Sequence, residues 1–332
     1  MNLSSGHKIF TRTYTTSSKR WASAAGPSAS AAPFHVFDRS AKVIQRNRAA
    51  SNKEKSRLAD YVRDQVAEDM IERLLDIKRR FPSIVDIGSG GGHLSKFLTP
   101  DITQKLIMTD SSEKMLFRDV DIPTTVPVER VVCDEELLPF EEDSVEAVMS
   151  CLSMHWVNDL PGTLIQIKRA LKPDSPFIGA MLGGDTLFEL RTSLQLAELE
   201  REGGISPRIS PMTDSQMITH LMNRAGFTIP TVDVDEIEIR YPSILELIED
   251  LKWMGENNVV LSRRKQLNYD VLLAAASIYK EMHGLEDGSI PATFQIMHMI
   301  GWKPGPDQPK PAKRGSGTVN LKDVLGEGND KL

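Results

Sequence analysis

The chain has 332 residues, enough to bury a sizeable core as one large domain or two ordinary ones. Its 40 basic and 46 acidic residues leave a net charge of −6, which excludes nucleic-acid binding through general electrostatics. The two cysteines, Cys133 and Cys151, fit no metal-ligand spacing and are expected to remain thiols in a reducing compartment.

Residues 1–33 carry Lys8, Arg12, Lys19 and Arg20, no acidic residue and many Ser and Thr, with Ile9, Phe10, Tyr14 and Trp21 as an apolar side. This is the composition of a mitochondrial transit peptide. Without it the chain has 36 basic and 46 acidic residues, a net of −10. No uninterrupted apolar run is long enough for a membrane span. Residues 34–80 read as an amino-terminal helical segment, with Val62, Val66, Met70, Ile71, Leu74 and Leu75 at helical spacing and Phe81-Pro82 closing it. Short apolar runs then follow at 84–87, 106–108, 128–132, 145–149 and 177–181, each reading as a strand covered on both faces, with helical stretches between them. That alternation predicts an α/β fold with a doubly wound, mostly parallel sheet and right-handed crossovers. Helices are expected at 187–202 and 214–225 and strands at 232–240 and 292–300, which brings the sheet to seven strands. Between the last two lies a helical insert at about 241–286, with Ile244, Leu247, Ile248, Leu251 and Met254 on one apolar face and Val271, Leu272, Ala275, Ile278, Tyr279 and Met282 on another. The domain of 81–302 is followed by a Pro- and Gly-rich tail, 303–332, expected to be disordered.

The most informative stretch is Ile84-Val85-Asp86-Ile87-Gly88-Ser89-Gly90-Gly91-Gly92-His93. It reads as a buried strand, a glycine-rich turn and a helix beginning near Gly92, with Asp110 22 residues after Gly88 at the end of the second strand. This layout places a nucleoside-bearing cofactor over the carboxyl end of the first strand. Gly88, Ser89 and Gly90 let the backbone turn sharply beneath the ligand, and Asp110 can accept both ribose hydroxyls. A pyrophosphate fits poorly, because His93 replaces the third spaced glycine and Asp86 adds negative charge. A ligand poor in anions and carrying a cationic amino group fits better, and S-adenosylmethionine is such a ligand.

Further candidates follow the later strands. Asp134 and Glu135 come just after the third, where Asp134 can accept from an adenine amino group; a solvated acidic turn is the alternative. His155 and Trp156 come after the fourth, facing the reactive end of the ligand, as a base or substrate-orienting group and a pocket wall; a packed loop is the alternative. Asp185, after Gly183-Gly184, is a site residue or a helix cap. The loop at 202–211 can shape a substrate mouth. No cluster has metal-ligand spacing.

At these residues the chain resembles the class I S-adenosylmethionine-dependent methyltransferase fold. Phe37-Asp38-Arg39 and the runs 134–140, 152–161, 177–187, 197–204 and 287–296 are further similar to the mitochondrial complex I assembly factor 5 family. The resemblance spans roughly residues 34–325. It implies an arginine hydroxylase acting on an iron–sulfur subunit of NADH dehydrogenase, working with other complex I assembly factors in the mitochondrial matrix and peripherally associated with the inner membrane. Residue chemistry alone points instead to a methyltransferase. A non-catalytic assembly chaperone with a vestigial pocket is the third reading.

Overall fold

The computed structural model describes residues 35–264, 266–306, 308 and 314–317. The transit-peptide reading of 1–33, and most of the tail reading of 303–332, lie outside the described residues.

The amino-terminal segment forms three helices, α1 (Arg39–Ser51), α2 (Lys53–Leu58) and α3 (Tyr61–Leu75). Asp38 starts the first by accepting from the Ala41 amide. Asn52 ends it and caps the second by accepting from the Lys55 amide. A side-chain cap of this kind contributes about 1 kcal/mol. The segment is therefore broken where a short polar side chain satisfies amides that an uninterrupted helix would bond itself.

Seven strands, Ile84–Ile87, Leu106–Asp110, Val128–Val132, Val148–Cys151, Pro176–Leu182, Thr228–Tyr241 and Ile290–Trp302, are numbered β1 to β7. They form one sheet in the order β3-β2-β1-β4-β5-β7-β6. The first five are parallel, and β7 runs antiparallel between β5 and β6. The strand order reverses at β1, between β2 and β4, and open α/β sheets bind ligands outside the carboxyl ends of the strands at such a point.

Residues alternate between two cores. Ile84, Ile178 and Ala180 pack on one side with α3; Val85, Ile87, Phe177 and Met181 pack on the other. After the short α4 (Glu113–Leu116), α5 (Leu160–Ala170) and α7 (Ser215–Ala225) cover the second side through Leu164, Ile167, Ile218 and Met222. The first side also holds α6 (Phe188–Glu202) and the insert helices α8 (Ile244–Met254) and α9 (Tyr269–His283), through Leu190, Leu247 and Tyr279.

Several local expectations differ from the fold. Strand β4 begins at Val148; Val145 makes an isolated bridge with Leu171 instead, after the left-handed turn at Asp143. Strand β3 is only half-buried, because it sits at the sheet edge. The expected helix after the glycine turn is one 3-10 turn, Leu94–Lys96. Thr99-Pro100 follows closely, and the residue before a proline is biased away from helical backbone.

Candidate functional site

The glycine turn lies at the carboxyl end of β1. Gly88 has φ +67°, and a Cβ there would sit 2.0 Å from Ser153 Oγ, so only glycine fits. Gly90 also has positive φ, +56°, but more space around it. Its amide donates to Asp110 Oδ2 at 3.0 Å. With that amide committed and no regular helix behind it, the turn is not a phosphate cradle. Beneath it Asp86 is fully buried, and neither carboxylate oxygen has a hydrogen-bond partner among the described residues. Burial, reinforced by the Asp110 charge, pushes the Asp86 carboxyl well above the usual carboxylate range. The buried Ser89 hydroxyl is likewise without a partner among the described residues. A buried carboxyl of this kind can take a cationic or hydrogen-bond-donating partner.

Three predicted cofactor residues meet a helix that sequence reasoning did not place there. Arg39, Lys42 and Arg46 lie at i, i+3 and i+7 on α1, so they share one face. Arg46 Nη1 lies 3.2 Å from Asp110 Oδ2 and 3.4 Å from Glu135 Oε1, and its Nη2 donates to Ser153 Oγ at 3.2 Å. Arg39 pairs with Asp134 at 2.6 Å and with Glu135. Burial raises the Asp110 carboxyl despite Arg46. For Glu135 the two guanidiniums overcome burial and lower it. Asp110, expected to accept ribose hydroxyls, thus already holds a guanidinium of the chain itself, and Asp134, expected at an adenine amine, holds another.

The loop after β4 forms a second cluster. His155 Nε2 is 3.2 Å from Glu256 Oε2, and the Trp156 indole donates to the same oxygen at 2.6 Å. Arg63 pairs with the other oxygen of Glu256. Burial would raise Glu256, yet Arg63, Lys42 and His155 hold it far below the usual range. Burial depresses His155 despite the Glu256 contact, so the ring is neutral at physiological pH. Glu256 is then an acceptor only, which puts the His155 proton on Nε2 and leaves Nδ1 as a buried lone pair without a protein partner among the described residues. Trp156 is 2% exposed, with Lys42 Nζ 3.4 Å from its ring centroid and Phe37 edge-on at 5.5 Å. Both residues are held inside the molecule, and the partner of His155 is a side chain, Glu256, rather than backbone. Asn158 Oδ1 accepts from the Val36 and Phe37 amides, each at 2.8 Å, which ties this loop to the start of α1.

Asp185 stands apart. It is exposed and bonds Gln295 at 3.0 Å. It does not cap α6, whose N-cap is Leu187 in left-handed conformation without a side-chain bond. Sequence reasoning missed Arg46, Lys42, Arg63 and Glu256. The cationic i, i+3, i+7 stripe was a readable signal for two of them; nothing in the sequence marks Glu256 as the partner of residues about a hundred positions earlier. Among the described residues no group of three His, Cys, Asp or Glu is arranged to hold a metal ion.

Residues 85–179 match the family described as "Methyltransferase domain". A candidate methyltransferase from Bacillus halodurans aligns with a TM-score of 0.50 at 16% identity, covering 71% of this chain and 99% of that one. That likeness speaks to the fold alone. The protein named "Arginine-hydroxylase NDUFAF5, mitochondrial" in Danio rerio is 50% identical over 291 residues, 88% of this chain and 90% of that one. Its Homo sapiens namesake is 48% identical over 301 residues, 90% and 86% of the two chains. With half its residues shared along almost its whole length, the chain belongs to the mitochondrial arginine-hydroxylase NDUFAF5 family.

Proposed function

We propose that this protein is a mitochondrial arginine hydroxylase that modifies an iron–sulfur subunit of NADH dehydrogenase during complex I assembly, alongside other assembly factors. In this reading it works in the matrix, peripherally on the inner membrane; no described helix is long and apolar enough to cross a membrane. The observation that carries the activity is the near full-length identity to proteins of that name. The geometry supports a pocket of the S-adenosylmethionine type within it. Asp86, with no protein partner, suits a cationic amino group; Asp110 suits ribose hydroxyls; Ser89 and the backbone at Gly88 and Gly90 suit close approach. Bound there, S-adenosylmethionine would supply an electrophilic methyl group.

Two consequences follow for the chain's own residues. A ligand that takes both oxygens of Asp110 must displace Arg46 Nη1, so α1 and the cofactor compete for one carboxylate. A cation beside Asp86 favours its ionised form, so ligand uptake releases a proton. The buried neutral His155, with Nδ1 free, suits a base or acceptor toward the substrate, and Trp156 suits a wall; Asp185 is at most a peripheral contributor.

Intact-mass analysis of the iron–sulfur subunit isolated from mitochondria that contain or lack this protein, where the matrix supplies both oxidant and S-adenosylmethionine, tests the reading. Oxygen addition at arginine is expected. Methyl addition would replace it with the second reading, which the orphaned Asp86 beside Asp110 favours. An unchanged mass with stable complex formation would leave a chaperone.

A further inference from the structure

A cavity of about 420 Å³ opens between α6, α8, the chain at 207–212 and Phe294 of β7. Trp156 and Glu256 belong to its wall, but no residue of the glycine turn does. Leu190, Leu194, Ile209, Leu251 and Phe294 make the lining largely apolar. Its polar groups are strongly one-sided. Arg48, Arg208, Arg263 and Arg264 all line it, and Glu256, the one carboxylate among its described lining residues, is already paired with Arg63.

Arg208 is the decisive group. Its side chain is 10% exposed. Nε donates to the buried Glu198 at 2.6 Å and Nη1 to the Gln266 carbonyl at 2.9 Å. Nη2 is buried with no partner among the described residues. Guanidinium donors are rarely left unpaired in a protein interior. Arg48, exposed at the same cavity, makes no ion pair among the described residues, whereas Arg263 is partnered by Asp38 and Arg264 by Glu202. A cationic side chain entering here meets like charge and no free acceptor carboxylate.

We propose that this cavity binds a single-chain apolar anion, an acyl carboxylate, with its head on Arg208 Nη2, Arg48 at the entrance, and its chain along Leu190, Leu194 and Phe294. The volume lies within the range of small-molecule sites and suits one acyl chain rather than the two of a membrane phospholipid. The cavity shares no lining residue with the Asp86–Asp110 cluster, so it stands or falls separately from the cofactor reading.

Calorimetry on the full chain tests it, with dodecanoate, dodecanol and dodecylammonium as probes below their micelle-forming concentrations. Dodecanoate should bind saturably, and dodecylammonium at least about tenfold more weakly. Arg208→Lys keeps a cation beside Glu198 but removes the free fork, and should weaken dodecanoate about tenfold. Ile209→Trp should fill the cavity and abolish binding, with a thermal melt confirming a folded protein. S-adenosylhomocysteine binding, read on the same samples, separates failure of the cofactor site from failure of this one. No saturable dodecanoate binding, equal affinity for dodecylammonium, or an unaltered affinity in Arg208→Lys would each overturn the proposal. So would protein that sediments with phosphatidylglycerol vesicles through Arg208 yet ignores dodecanoate, because the ligand would then be a membrane headgroup.

Discussion

Trp156 belongs to two neighbourhoods built on opposite principles. Toward α1 and Glu256 the interior is ionic: Arg39, Lys42, Arg46 and Arg63 meet Asp110, Glu135 and Glu256 with almost no solvent. Toward α6 and α8 it is an apolar hollow edged with arginines. The ionic side is filled by the chain's own groups, so a ligand must exchange partners there. The apolar side is already open. Affinity on the first side is therefore a difference between two sets of charge contacts, whereas on the second it follows from surface burial and one head-group contact.

That contrast can be broken most forcefully at Glu256. Glu256→Gln leaves the buried Arg63 without its carboxylate partner, and loss of one member of a buried ion pair typically costs about 3–5 kcal/mol. Urea unfolding should show a drop of that order. Glu256 is held below its unfolded value of about 4.3, so its contribution is present above that pH and lost as pH falls toward the folded value. The wild type should accordingly lose stability on acidification below about pH 4.3 more steeply than the variant. Equal acid profiles would show that Glu256 is not the keystone of the ionic side.

Gly88→Ala comes next. Its Cβ would collide with Ser153 and require a positive φ, so S-adenosylhomocysteine affinity should fall by at least about tenfold, read by calorimetry. Retained affinity would move the ligand away from the turn. Arg46→Met sharpens the comparison in a different way. It should lower stability by about 3 kcal/mol in the absence of ligand, while S-adenosylhomocysteine raises the melting temperature more than in the wild type, since Asp110 no longer has to be vacated. A smaller ligand-induced shift than in the wild type would mean that Arg46 holds the ligand rather than excluding it.

The smallest effect is expected at Asp86. Its folded pKa is raised, so below the unfolded value of about 3.9 both states are protonated and nothing is gained or lost. Above it, the unfolded state ionises first and the native state is progressively disfavoured until the folded pKa is passed. Asp86→Asn removes that penalty. Its melting temperature should exceed the wild type's by a margin that widens from pH 4 upward, while ligand uptake no longer releases a proton. A constant margin across pH would place the charge elsewhere.

The sheet was legible because its signals are local. Apolar runs such as 84–87 and 177–181 and the turn at Gly88 state their own structure. Asp86 and Asp110 were likewise legible, since the fold fixes where strand ends go. The partners of those acids were not. Arg46 approaches Asp110 across 64 positions and Glu256 approaches Trp156 across 100, and no periodicity encodes a pairing that only packing creates. The turn after Gly92 failed for the opposite reason: the local signal promised a helix that the nearby Thr99-Pro100 does not support.

The grip of Asn158 on the Val36 and Phe37 amides limits how far the amino terminus can be shortened without loosening the site. Cuts before Val36 leave α1 anchored, with Phe37 against Trp156 and Asp38 capping the helix. A cut a few residues further on would remove the anchor, loosen Arg39 and Arg46, and leave Asp110, Asp134 and Glu135 without their counter-charges. The shortened protein would then differ from the longer one in surface charge and ligand access, although its sheet is unchanged.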